Sequence, residues 1–280
     1  MNSVLQFSTI FFLALVFTPS RGQSPEEVAR QMFQRLDQVK SLSYEMRKTE
    51  RINGKMRKQR AFIKLHRDPF KVYIRQIQPD EGIEVLFREG DETALINPSG
   101  FPWFNVRLQP LSSRMIKDQH HTIHNSGFDY FAGILQFLFN KYHTQLDQMT
   151  TISSRQAPGG EDCWVLKFNN PYFKFVDYTV KKGESVLSIA DRLKVSAYMI
   201  LETNPSLEDY FDVSEGQVLQ VPNDYSPHMT LYIDKSTHVP LLIKVQDQKG
   251  LFQQYEFHQV RIDPPFQPDE FNASYPDYGF

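Results

Sequence analysis

Three histidines, His120, His121 and His124, fall within five residues of one another. Imidazoles four apart on a helix share a face and can hold a zinc ion together. A zinc hydrolase built that way also carries a glutamate between its histidines. None lies between these, and the neighbouring carboxylates are Asp118 and Asp129. The group therefore reads as side chains that bond a loop ahead of a helix, and no metal or other cofactor is expected. There is no Gly-x-Ser-x-Gly elbow and no glycine-rich phosphate loop. Asp80-Glu81 follow Pro79 in what reads as a turn, a solvated pair rather than a glycosidase acid and base. Cys163 is the only cysteine, which excludes an internal disulfide. It opens the strand-like run Cys163–Phe168 and reads as a buried thiol. The chain is therefore read as a non-enzyme. One charge bias remains: between Arg47 and Arg75 there are 11 cations against Glu50 and Asp68. Arg57, Lys58 and Arg60, at its centre, are candidates for an anionic partner such as lipid head groups or acidic wall polymers. A solvated strand face with edge-blocking lysines accounts for them equally well.

The elements that must position such residues follow from periodicity. Val4–Phe17 is apolar but too short to span a bilayer. Ser20-Arg21-Gly22 then places small residues at −3 and −1 of a cut before Gln23, so residues 1–22 read as a secretory signal peptide. The protein is expected to be exported, to the periplasm or cell envelope, and not to be a stable transmembrane protein. Removing residues 1–22 leaves 30 basic against 33 acidic side chains, a near-balance that gives no argument for nucleic acid. Ser24-Pro25-Glu26-Glu27 is a capping box with proline at the first helical position. Alternating runs then begin at Leu42, with a hairpin turn at Asn53-Gly54. They continue through Ile63, Val72 and Val85 to Ile96, as in an antiparallel sheet with one buried face. Asn125-Ser126-Gly127 reads as the start of a helix whose stripe is Phe131, Ile134, Leu135, Leu138 and Phe139. Strands resume at Thr151–Ser154 and Cys163–Phe168, and again from Met229 to Val260. From Asp263 the chain reads as a tail, laid on the surface or loosely ordered.

Between these strands lies a different pattern. Tyr178-Thr179-Val180 is a short strand, and Gly183 a turn. Ser185 is a helix cap, followed by the stripe Val186, Ile189, Ala190 and Leu193. A second cap at Ser196 opens a helix that ends at Asn204-Pro205, because proline cannot continue it. Val218–Pro222 is a closing strand. This strand-helix-helix-strand order, with Tyr-Thr-Val-x-x-Gly-Glu-Ser-Val, Asn-Pro and Glu-Gly-Gln-Val-Leu-x-Val-Pro, resembles the LysM domain. The resemblance implies binding of N-acetylglucosamine glycans, peptidoglycan in bacteria. It also implies a shallow groove between two loops, here Gly183, Glu184, Ser185 and Val186 facing Asn204, Pro205, Ser206 and Leu207. The acidic and aromatic run Glu208–Asp212 departs from the pattern and bears on one groove wall.

The host outline resembles the LolA-like half-barrel of periplasmic lipid and lipoprotein carriers. Gly82–Phe87, Asn97–Pro102 and the closing Pro276-Asp277-Tyr278-Gly279-Phe280 resemble more closely a family of exported bacterial proteins, some with a LysM insert. The fold expected is α+β: an antiparallel curved sheet with covering helices and a small inserted βααβ LysM domain. Residues 23–175 and 226–280 form the host, and residues 176–225 the insert, whose paired end strands fit a surface loop. Such carriers hold acyl chains against apolar walls, which makes Phe131, Leu135, Leu138 and Phe139 candidates for an apolar ligand. A dry core accounts for that stripe equally well. The function expected is a non-catalytic envelope protein that binds peptidoglycan through LysM, its host domain open to a lipid, a lipoprotein or another apolar ligand. A wall-associated enzyme or enzyme partner with an unrecognised surface, and a scaffold without a cavity, stand as alternatives.

Overall fold

The computed structural model describes residues 23–280; the expected signal peptide lies outside them. The chain runs α1 (Pro25–Gln38), β1 (Ser41–Ile52), β2 (Lys55–Arg67), β3 (Phe70–Gln78), β4 (Glu84–Arg88), β5 (Ala94–Asn97) and β6 (Val106–Leu108). Then come α2 (Ser113–Ile116), α3 (Asp129–Lys141), α4 (Leu146–Met149), β7 (Thr150–Gln156) and β8 (Asp162–Asn169). The insert is β9 (Phe175–Thr179), α5 (Val186–Leu193), α6 (Ala197–Thr203) and β10 (Val218–Pro222). β11 (His228–Asp234), β12 (Pro240–Asp247) and β13 (Gly250–Ile262) complete the host.

Eleven strands form one sheet in the order β6-β5-β4-β3-β2-β1-β13-β12-β11-β8-β7, with every neighbouring pair antiparallel. This is the open half-barrel expected. Alternation sends Tyr44, Ile63, Val72 and Phe87 to the face covered by helices, where all four are buried. α1 is capped by Ser24, whose hydroxyl accepts from Glu27 N–H. It lays Val28, Met32 and Leu36 on the sheet and meets α3 through Phe33 and Phe139, edge to face at 6.3 Å.

α3 starts later than the Asn125 cap predicts. Asn125 Oδ1 instead accepts from Thr122 N–H and closes a tight turn over Ile123–Asn125. Gly127, at φ 90°, donates its N–H to the Tyr44 hydroxyl. A Cβ there would stand 2.6 Å from the Leu65 side chain, so the position requires glycine on two counts.

β8 and β11 are neighbours in register, with Asn169 opposite His228. The insert fills the gap between them, where a hairpin turn would otherwise sit. β9 and β10 pair antiparallel. α5 is capped reciprocally by Ser185 and Ser188, and α6 by Ser196.

The tail is ordered and covers the outer face of the sheet. Phe271 packs there with Tyr73 and Leu86, and Tyr278 stacks on Tyr73 at 3.8 Å. The buried Glu84 carboxylate accepts from the Tyr73 hydroxyl, from Asn97 Nδ2 and from Gly279 N–H. The three host motifs singled out in the sequence thus meet at one carboxylate.

Candidate functional site

In the insert, the two expected groove loops are held rigid by their own side chains. The Glu184 carboxylate accepts from the Tyr178 hydroxyl at 2.7 Å, from Lys181 N–H at 2.8 Å and from Arg192 at 2.7 Å. Burial raises its pKa, but these donors outweigh that and hold it below the usual range. Ser185 is occupied as a helix cap, and Val186 is fully buried. Asn204 sits under the second loop. Its Nδ2 donates to the Gln220 carbonyl and its Oδ1 accepts from Gln220 N–H, at 2.8 and 2.9 Å. Gly183, Pro205 and Ser206 remain exposed and Leu207 half-buried. Of the eight expected residues, these four face outward, while Glu184, Ser185, Val186 and Asn204 set the loops in place.

Sequence reasoning missed what Tyr210 does. Its carbonyl accepts from Val186 N–H, and its buried hydroxyl donates to the Gln119 carbonyl of the host. Asp209 accepts from the Ser113 hydroxyl nearby. The departure at Glu208–Asp212 is therefore a strap from the groove wall to the host. The available signal was an aromatic residue within an acidic run, since tyrosine buries its ring when its hydroxyl finds a partner.

The host contains a cavity of about 430 Å³ between the sheet and the segment from Arg114 to Phe131, within the range of small-ligand sites. Met46, Ile63, Ile74, Val85, Ile96 and Phe257 supply strand walls, and Met115, Ile123 and Phe131 close the helical side. Along β1 the lining passes from Tyr44 and Met46 to Lys48 and Glu50, so one end is polar. The apolar-ligand expectation is corrected here. Only Phe131 of its four residues reaches the cavity; Leu135, Leu138 and Phe139 are core. Phe139 lies between Phe33 and Phe168 because that side of α3 faces α1 and β8.

At the polar end Lys48 lies 3.2 Å from the Glu50 carboxylate, which also accepts from the Tyr255 hydroxyl. Burial pushes the Glu50 carboxyl up, but Lys48, His120, His121 and Tyr255 together bring it down to about 2. His120 Nε2 donates to the Arg51 carbonyl at 2.9 Å, and its ring stacks on Tyr198 at 4.3 Å. His121 lines the cavity, and burial lowers its pKa to about 3. His124 turns away, against Phe70 and Phe87. The segment is not α-helical: residues 120–122 are irregular and only a single 3-10 turn covers Ile123–Asn125, so the three rings diverge. Among the described residues no group of histidine, cysteine and carboxylate side chains is arranged to hold a metal. Cys163 is buried, and its thiol is pushed up to about 11 by burial and by Asp234.

The basic run is largely compensated from elsewhere in the chain. Arg57 pairs with Asp118 at 3.0 Å and Arg60 with Glu45 at 2.6 Å, while Lys58 remains exposed. Residues two apart share a strand face. Arg57 therefore lies on the side of Gln59 and Ala61, which line the cavity, and Lys58 and Arg60 on the other. The three do not form one patch. Arg51 is buried between Glu202 of α6 and Asp247 at the end of β12. With Tyr198, whose hydroxyl accepts from Asn53 N–H at 2.9 Å, it docks the insert on the β1–β2 hairpin.

The chain is thus a half-barrel with a cavity, bearing a βααβ unit in place of one hairpin turn. The chain belongs to the DUF1571 family, described as protein of unknown function, which matches residues 39–192. It also carries a LysM domain, matched over residues 178–222. No curated protein matches the sequence. Among solved structures the chain is similar to MucB in complex with the periplasmic part of MucA, proteins also solved together from Pseudomonas aeruginosa. Identity there is 12%, coverage 89% of this chain and 60% of that one, and the TM-score 0.40. The chain thus spans about 60% of the length of that relative. It is similar also to the lipoprotein LppX of Mycobacterium tuberculosis, at 10% identity, 87% and 97% coverage and a TM-score of 0.40. A putative outer membrane lipoprotein-sorting protein domain from Vibrio parahaemolyticus shows 10% identity, 89% and 98% coverage and a TM-score of 0.33. These are distant likenesses. No described helix is long and apolar enough to cross a membrane.

Proposed function

We propose that the chain is a non-catalytic protein of the bacterial cell envelope. Its LysM unit holds it to peptidoglycan or a related N-acetylglucosamine glycan, and its host cavity holds an apolar or amphipathic molecule, a lipid or the lipid part of a lipoprotein. The apolar run and cut site ahead of Gln23 support export. The observation that carries the reading is the division of labour in the two loops. Glu184, Ser185 and Asn204 spend their polar atoms on the loops, which leaves the exposed Gly183 and Ser206 and the half-buried Leu207 as the outward residues. Backbone amides there suit an acetamido group, and Leu207 suits its methyl. The cavity supports the second half: its apolar walls suit a chain, and its Lys48–Glu50 end suits a polar head group.

Co-sedimentation with purified peptidoglycan tests the first half. The protein should pellet with the polymer and release no soluble fragments. Ser206→Arg, at an exposed position, should abolish pelleting without changing the melting temperature. Steady release of fragments, or pelleting unchanged in Ser206→Arg, would contradict it.

A further inference from the structure

The loop between β5 and β6 presents Phe101, Trp103 and Phe104 to solvent, at 81%, 85% and 68% exposure. Phe101 and Trp103 pack edge to face at 5.2 Å, so they form one knob rather than scattered side chains. Exposed aromatic clusters of this kind mark interaction surfaces. Charge indicates which kind. From Thr93 to Lys117 the chain has no acidic residue, while Arg107, Arg114 and Lys117 are all exposed. Tryptophan and phenylalanine flanked by cations, in a stretch with no carboxylate of its own although the Asp80-Glu81 turn lies against Ser99, match the interface of an anionic bilayer, where rings sit at head-group depth and cations meet lipid phosphates.

Position points the same way. The loop joins the strands of Ile96 and Leu108, both of which line the cavity, as does Arg114. β6 is the edge of the sheet. A surface held by the loop would therefore lie beside the cavity.

We infer that the Phe101–Phe104 loop inserts into an anionic lipid surface and brings the edge of the cavity against it. This extends the cavity reading by naming the surface with which the cavity would exchange an amphipathic molecule, and it does not depend on glycan binding.

The test uses the full chain carrying Trp164→Phe, which leaves Trp103 as its only tryptophan. It is mixed with vesicles of equimolar phosphatidylglycerol and phosphatidylethanolamine with brominated acyl chains. Trp103 emission should shift to the blue and fall roughly twofold, as for an indole at head-group depth. Vesicles of phosphatidylcholine alone should give little change. Arg107→Ser with Arg114→Ser should weaken binding to the anionic vesicles roughly 30-fold, at about 1 kcal/mol per cation. Because the readout comes from Trp103 itself, it reports this loop and no other part of the chain. It also needs neither glycan nor cavity ligand, so its failure would leave those readings standing. Unshifted, unquenched Trp103 would overturn the inference. So would a dimer in sedimentation velocity that is lost in Phe101→Ser/Trp103→Ser/Phe104→Ser, since the knob would then cover a second copy of the chain.

Discussion

The Asn204 carboxamide bonds both backbone groups of Gln220, as a neighbouring strand would. Asn204→Ala should lose both bonds and cost about 1–3 kcal/mol, read by urea unfolding. Glycan retention should fall with it, because the second loop loses its anchor; retention unchanged at equal destabilisation would separate the loop from binding. His121 gives a pH prediction. Burial lowers its pKa from the ordinary 6.5 to about 3, opposed by Glu50. The folded state refuses a proton that the unfolded chain accepts. Its contribution is therefore present above pH 6.5 and drains away as pH falls toward 3. His120, also lowered, acts in the same direction. Stability should drop by roughly 2 kcal/mol between pH 7 and 4.5, and His121→Gln should flatten that slope. A slope unchanged in the variant would show that the ring titrates normally. The residue pattern exposed the histidines but not their surroundings, because Gln253 and Tyr255 lie more than 130 positions along the chain.

Among the elements, the strands rather than the α3 stripe supply most of the cavity wall. The stripe on α3 is core on the side of Leu135 and Leu138, which are fully buried. Leu138→Ala should therefore cost about 2–5 kcal/mol and leave cavity ligand content unchanged. Ile74→Trp, on the cavity wall of β3, should do the reverse. It should displace co-purifying apolar molecules, measured by mass spectrometry of extracts, with little loss of stability. If Leu138→Ala rather than Ile74→Trp empties the protein, the core assignment fails. Helical periodicity showed that Phe131 and Leu138 are buried, but a buried stripe looks the same against a dry core and against a cavity. Strand alternation carried the wall residues openly, in Met46, Ile63, Ile74 and Val85, without indicating that a gap lay beside them. Capping boxes and proline stops placed α1, α5 and α6 because those signals are local. Asn125 misplaced the start of α3 because its side chain serves a turn.

At the scale of the whole molecule, the insert is docked rather than tethered. Arg51 bridges Glu202 and Asp247, and Tyr210 straps the groove wall to Gln119, which lines the cavity. Arg51→Met would leave two half-buried carboxylates facing each other, with only Lys249 still paired to Glu202, and should cost about 3 kcal/mol. Amide exchange should show α6 losing protection first. Protection lost uniformly would mean that this contact is not the joint. The insertion between adjacent strands was legible because the LysM pattern interrupts an alternation that resumes afterwards. The ion pairs were not legible, since a run of 11 cations looks unpaired until distant carboxylates such as Asp118, Glu202 and Glu270 fold against it.

In the proposed reading the outward edges of Gly183 and Ser206 grip the sugar. Titration of 15N-labelled protein with a soluble chitin oligosaccharide tests this directly. Saturable shifts of the Gly183, Ser206 and Leu207 amides, with the cavity lining unmoved, are predicted. Amides that stay still at these positions, or that move only elsewhere, would contradict it.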